Sequence, residues 1–202
     1  LISLLLISIN NAYILCSVLV ICFYLIIDEF YSLLRKNLKK DAKSKLYLLI
    51  LLLIIYIAYF NIKIFVTILN NNTSELFLLY FIIVTCISTD IGGYIFGKIF
   101  RGKKLTRISP NKTYSGLIGS FILSIFVTII FFKEYADLER IILISFIISI
   151  ISQIGDLFIS YLKRKAKVKD TGKILPGHGG ILDRLDGLIF ALPLGFFIFK
   201  VL

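Results

Sequence analysis

The 202-residue sequence predicts an all-α, polytopic integral membrane protein of about six transmembrane helices. Three observations predict it. Hydrophobic residues make up 58% of the chain and charged residues 17%, against about 45–50% and about 25% in a soluble domain, so there is more apolar surface than one aqueous core can hide. The apolar residues come in runs long enough to cross a hydrocarbon core, which takes about 20 residues in a helix. The charges collect between the runs, with basic loops alternating with neutral ones. Irregular backbone cannot face lipid, and barrel strands would alternate over about ten residues. Runs such as 46–60 do not alternate, so they read as helices.

The first apolar stretch, 1–27, is interrupted by Asn10-Asn11. Leu1–Ile9 therefore reads as the remnant of one helix and Ala12–Ile27 as the next. A signal peptide does not fit, because the stretch is too long, lacks a basic start and ends in Asp28-Glu29 without a small-residue cleavage site. With Leu at position 1 and no methionine, the chain reads as trimmed at its N-terminus. Five clearer spans follow at 46–69, 76–97, 116–132, 141–162 and 187–202. Cys16, Cys22 and Cys86 lie inside apolar runs and read as small packing residues.

Lys and Arg number 23 against 12 Asp and Glu, a net charge of +11. Nineteen of the 23 fall in three clusters, 35–45, 98–112 and 163–184. Between them lie Asn70–Glu75, with no basic residue, and Lys133–Arg140, which is nearly balanced. By the positive-inside rule the three basic loops are cytoplasmic, and the protein is a multi-pass inner-membrane protein. No nucleic-acid module surrounds the basic residues, so nucleic acid is not an expected partner. Anionic head groups and a phosphorylated substrate suit the charge better.

The acids carry more information. Asp90, in Ser88-Thr89-Asp90-Ile91-Gly92-Gly93, and Asp156, in Gln153-Ile154-Gly155-Asp156, lie at membrane depth, where a carboxylate costs roughly 2.5 kcal/mol or more. Each reads as a functional group facing a cavity or ion; the alternatives are tight helix packing at Asp90 and an interhelical clasp at Asp156. Ser160, Lys163 and Lys167 follow Asp156 at i+4, i+7 and i+11, a stripe suited to a metal below and phosphates above. Farther on, Leu175-Pro176-Gly177-His178-Gly179-Gly180-Ile181-Leu182-Asp183-Arg184-Leu185-Asp186 sets glycines around the only histidine, which lets backbone N–H groups approach a phosphate. His178 reads as a phosphate-contacting or loop-ordering residue, since zinc would need ligands that are absent. Asp183 and Asp186, spaced i, i+3, resemble a hard-cation site for Mg²⁺, or else the solvated acidic start of a helix. No G-x-x-x-x-G-K-[ST] loop is present.

Together these residues resemble the signature of the phosphatidate cytidylyltransferases, the CDP-diacylglycerol synthases. Ser160-Tyr161-Leu162-Lys163-Arg164, then Lys169-Asp170, then Leu175 through Asp186 carry one block of about 27 residues. A second block is similar too: Asp90-Ile91-Gly92-Gly93-Tyr94-Ile95-Phe96-Gly97-Lys98, followed by Ile108-Ser109-Pro110-Asn111-Lys112-Thr113-Tyr114-Ser115-Gly116. Ser115 stands where that loop usually has an acidic residue. The resemblance runs from about residue 28 to the C-terminus, with a shorter N-terminal part. It implies a single membrane-embedded domain over 1–202, with partial N-terminal helices at 1–27 and catalytic blocks at 88–116 and 153–187. It also implies transfer of the cytidylyl group of CTP to phosphatidate at the cytoplasmic face, with Mg²⁺ and the option of a second cation such as K⁺. Asp156, Asp183 and Asp186 would hold the metal. Lys163, Arg164, Lys169 and Arg184 would meet phosphates, with Ser109, Lys112 and Thr113 closing the same mouth. Ser160, Asp170, His178, Gly179, Gly180 and Asp90 complete the expected substrate-binding set. Membrane lipids, and optionally a second copy of the chain as a homodimer, are the remaining partners.

Two rivals are weaker. A CTP-dependent polyprenol or phytol kinase would not account for the complete Lys163–Asp186 pattern. A non-catalytic transporter or lipid-binding protein would show charges paired across inverted repeats, and no such repeat is present.

Overall fold

The computed structural model describes residues 12–37, 73–106, 108–172 and 179–201, with the single positions 55, 56, 59, 62 and 66. It contains α1 (Ala12–Asn37), α2 (Thr73–Phe100), α3 (Tyr114–Phe132), α4 (Leu138–Lys165) and α5 (Leu182–Val201). The described residues form no strand, and Lys104 and Thr113 meet only in an isolated bridge, so the all-α expectation holds. Ser74–Phe100, Tyr114–Phe132 and Leu138–Lys165 are long and apolar enough to cross a membrane, and they cover the spans expected at 76–97, 116–132 and 141–162. The expected helix at Leu1–Ile9 and nearly all of 46–69 lie outside the described residues.

Two boundaries differ from the sequence expectation. The helix expected to end at Ile27 runs on through Asp28-Glu29 to Asn37, because Asp28 is exposed while the Glu29 carboxylate finds donors outside its own helix. The span expected from residue 187 starts at Leu182, taking Asp183, Arg184 and Asp186 into its opening turns. Acids are favourable there, against the unpaired N–H groups of a helix start.

By internal contacts the chain forms two compact units, Leu1–Leu76 with Lys165–Arg184, and Phe77–Arg164 with Leu185–Leu202. In the first, α1 buries Ile26, Glu29, Phe30, Leu33 and Leu34, one face at helical spacing.

In the second unit, α3 inverts the order of a soluble helix. It buries Gly116, Gly119, Ser120, Ser124 and Thr128 and exposes Ile118, Ile122, Phe126 and Ile130. Helices in lipid gain nothing by hiding leucine from water, so small residues that allow close approach take the interface. The inward hydroxyls are satisfied. Thr128 pairs with Ser145 at 2.7 Å, Thr89 donates to Ser149 at 2.9 Å, and Gln153 Nε2 donates to Ser120 Oγ at 2.6 Å. A Cβ at Gly92 would lie 2.7 Å from the Gly119 carbonyl, so α2 and α3 touch backbone to backbone. At the far end of these helices Phe77, Phe81, Phe132, Tyr135 and Phe199 cluster edge to face or tilted, and the Arg140 guanidinium sits 4.7 Å over the Phe199 ring.

Candidate functional site

The close crossing of α4 and α5 builds the centre of the second unit. A Cβ at Gly155 would come within 2.9 Å of the Asp186 carbonyl and 2.7 Å of the Phe190 ring, and one at Gly187 would meet Ser152. Each glycine is the chain neighbour of an acid, Asp156 or Asp186, so the approach that they permit brings the two carboxyl groups into hydrogen-bonding contact. Lys112 forms a salt bridge to Asp156 Oδ2, with side chains 25% and 29% exposed. The Ser160 hydroxyl donates to Asp156 Oδ1 at 3.3 Å. Lys163 lies within charge range of both acids, and Asp90 within range of Asp156 and Lys112.

Lys112 reaches this centre because the segment joining α2 to α3 doubles back. Arg101 and Gly102 adopt positive φ, at 50° and 125°, and Gly supplies the second at no steric cost. Leu105 N–H then donates to the Lys112 carbonyl at 2.8 Å, and Tyr114 N–H to the Lys103 carbonyl at 3.1 Å. Ser109 opens the tight turn whose carbonyl accepts from Lys112 N–H at 3.1 Å. Thr113 is the N-cap of α3, its hydroxyl accepting from Gly116 N–H at 3.1 Å, and it pairs with the Ser115 hydroxyl at 3.0 Å. Arg164 Nε donates to the Ile108 carbonyl at 3.2 Å, tying α4 to this loop.

The other expected residues that the structure describes lie in the first unit. Asp183 Oδ2 accepts from Thr171 N–H at 2.8 Å and Gly180 N–H at 3.0 Å. Gly179, with φ of 84°, lies against Asp183 and Asp170, while Lys169, Asp170 and Arg184 are exposed. Gly180 leaves room for the Glu29 carboxylate and the Thr171 hydroxyl, with which a Cβ would collide. His178 lies outside the described residues.

The structure therefore gathers Asp156, Asp186, Ser160, Lys163, Lys112 and Asp90 in one unit, and Asp170, Gly179, Gly180 and Asp183 in the other. Two features were missed from sequence. Lys112 pairs directly with Asp156, a meeting that a separation of 44 residues hides. Glu29, taken only as the polar end of a span, is 3% exposed and triply hydrogen-bonded. The rule that singled out Asp90 and Asp156, an acid set against an apolar run, would also have found it.

Two carboxyl groups in contact repel unless a proton or a cation sits between them. Asp156 and Asp186 thus form a donor set of hard oxygens. Among the described residues no group of three or more His, Cys, Asp and Glu side chains gathers to cage a metal. Mg²⁺ is commonly held by one or two carboxylates with substrate phosphates and water completing its shell, and this pair fits that ion. The adjacent ammonium groups suit a polyanion.

Such a fold and site define a helical membrane protein with a paired-carboxylate and lysine centre. Comparison with known proteins is specific about which: the family model described as "Cytidylyltransferase family" matches residues 1–202. The chain belongs to the cytidylyltransferase family. Similar proteins include the phosphatidate cytidylyltransferase of Staphylococcus haemolyticus, 48% identical over 122 residues, 58% of this chain and 46% of the relative. That of Rickettsia bellii is 44% identical over 165 residues, 77% and 70% of the two chains, and that of Bacillus subtilis 40% over 139 residues, 66% and 51%. The chain thus spans about half the length of the Staphylococcus and Bacillus relatives.

Proposed function

We propose that this chain transfers the cytidylyl group of CTP to phosphatidate, forming CDP-diacylglycerol and releasing pyrophosphate. The observation that carries the proposal is the Asp156–Asp186 pair with Lys112 and Lys163 beside it, in a chain whose relatives bear that activity as their name. An oxygen of the lipid phosphate attacks the α-phosphorus of CTP, and the bond from that phosphorus to the β-phosphate oxygen breaks as pyrophosphate departs. A phosphate dianion is already nucleophilic near neutral pH, so no general base is required, and positioning and charge neutralisation supply the acceleration.

Lys112 and Lys163 would attract the phosphates and hold them in line, and Arg164 would keep the α2–α3 loop against α4. Asp156 and Asp186 would hold Mg²⁺, which when bound neutralises phosphate charge. Ser160 would fix the Asp156 carboxylate. The alternating charge of the loops supports a cytoplasmic face for this centre, in the inner membrane.

The test is an assay of the purified chain with labelled CTP and phosphatidate, with Mg²⁺ and after chelation. CDP-diacylglycerol and pyrophosphate should appear with the metal and disappear without it. Formation of CDP and a phosphorylated lipid alcohol would instead identify a lipid kinase.

A further inference from the structure

Glu29 is an acid that cytidylyl transfer leaves unused, yet it is the one fully buried acid among the described residues. Its neighbour Asp28 is exposed, so of the two acids on α1 only Glu29 lies on the buried face. Its hydrogen bonds among the described residues come from one short part of the chain. Thr171 Oγ1 donates to Oε2 at 2.7 Å, Leu182 N–H to Oε2 at 2.9 Å and Ile181 N–H to Oε1 at 3.0 Å. A buried carboxylate is tolerated only when donors replace its water, and here they are the orphan N–H groups at the start of α5 plus one hydroxyl. The surrounding glycines fit the same carboxylate, since a Cβ at Gly172 or Gly180 would collide with it.

Thr171 doubles the clasp. Its hydroxyl goes to Glu29 while its N–H goes to Asp183, which also accepts from Gly180 N–H. Two carboxylates thus hold the two ends of the segment between Thr171 and Leu182, and one of them, Asp183, belongs to the signature block.

From this arrangement we infer that Glu29 is a positioning residue for the reaction. Delivered from a helix more than 140 residues away in sequence, it fixes the first turn of α5 and, through Thr171, the carboxylate of Asp183. The inference rests on the cytidylyl-transfer reading.

Glu29→Gln, Glu29→Asp, Thr171→Val and the Glu29→Gln/Thr171→Val double variant test it in the full chain. Two readouts are needed: steady-state kinetics with CTP and phosphatidate, and hydrogen exchange at the amides of residues 180–182. Glu29→Gln keeps the shape but turns an NH₂ toward backbone donors. Exchange at 180–182 should quicken about tenfold and kcat fall about tenfold or more, as misplaced reacting groups lose rate steeply. Exchange within α3 should not change. Glu29→Asp keeps the charge but falls one methylene short, so it should not restore kcat. The double variant should be no worse than Glu29→Gln alone, because partners in one network are not additive. Unchanged exchange in Glu29→Gln would overturn the clasp. Faster exchange with unaltered kcat would overturn the positioning role, and so would full rescue by Asp. A wild-type chain that makes no CDP-diacylglycerol would overturn the reaction, and the positioning role with it; the exchange data keep that failure distinct from a failure of the clasp.

Discussion

Asp156 and Lys112 show how one residue's setting decides its chemistry. A carboxylate at membrane depth is costly unless paired, and here it meets an ammonium, a hydroxyl and a second carboxyl group. Lys112 offsets one negative charge, and a proton or a cation between the two carboxyl groups would offset the other. Removing an oxygen donor should therefore hurt more than removing the lysine. Asp186→Asn should lower cytidylyl transfer by about a hundredfold or more, the loss typical of a lost charge-stabilising group, with membrane insertion unchanged; full activity with Mg²⁺ would refute the metal-site assignment. Lys112→Met should lower kcat/KM by roughly ten- to a hundredfold, the worth of a charged hydrogen bond, and Lys112→Arg should recover part of it. An unchanged kcat/KM in Lys112→Met would remove the lysine from the site.

Among the helices, glycines decide which faces meet. Gly92 and Gly93 are neighbours in α2 with opposite environments. A Cβ at Gly92 would lie 2.7 Å from the Gly119 carbonyl and 2.9 Å from Ser120 Cα, whereas one at Gly93 would have its nearest atom 3.8 Å away. Backbone cannot yield as a flexible side chain can. Gly92→Val should thus cost about 1–3 kcal/mol or more through overpacking, while Gly93→Ala should be neutral or stabilise by up to about 1 kcal/mol through helix propensity. Thermal unfolding in detergent checks both. Equal losses of Tm would contradict the α2–α3 packing described.

For the molecule in its membrane, the basic and neutral loops make an orientation that can be tested without any assay of activity. Lys103 and Glu134 are exposed beyond opposite ends of α3, a helix long enough to span the bilayer. In a background lacking Cys16, Cys22 and Cys86, Lys103→Cys should react with an impermeant thiol reagent only from the cytoplasmic side, and Glu134→Cys only from the other. Labelling of both from one side would contradict the positive-inside assignment.

Much of this protein was legible in its sequence because lipid imposes strong local rules. A run of apolar residues must become a helix wherever it meets hydrocarbon, so 76–97, 116–132 and 141–162 could be drawn within a few residues. An acid in such a run announces itself by its cost, so Asp90 and Asp156 stood out. The boundaries of α1 and α5 were not, because they depend on partners distant in the chain: Glu29 keeps α1 helical past Ile27 by finding donors at the start of α5. Sequence alone determined the fold class and the membrane setting, for these follow from local composition and spacing. Only the tertiary structure decided that Lys112 pairs with Asp156 and that Gly180 makes way for a buried carboxylate. Those outcomes depend on which helices touch, and contacts between residues far apart in a chain leave no periodic trace along it.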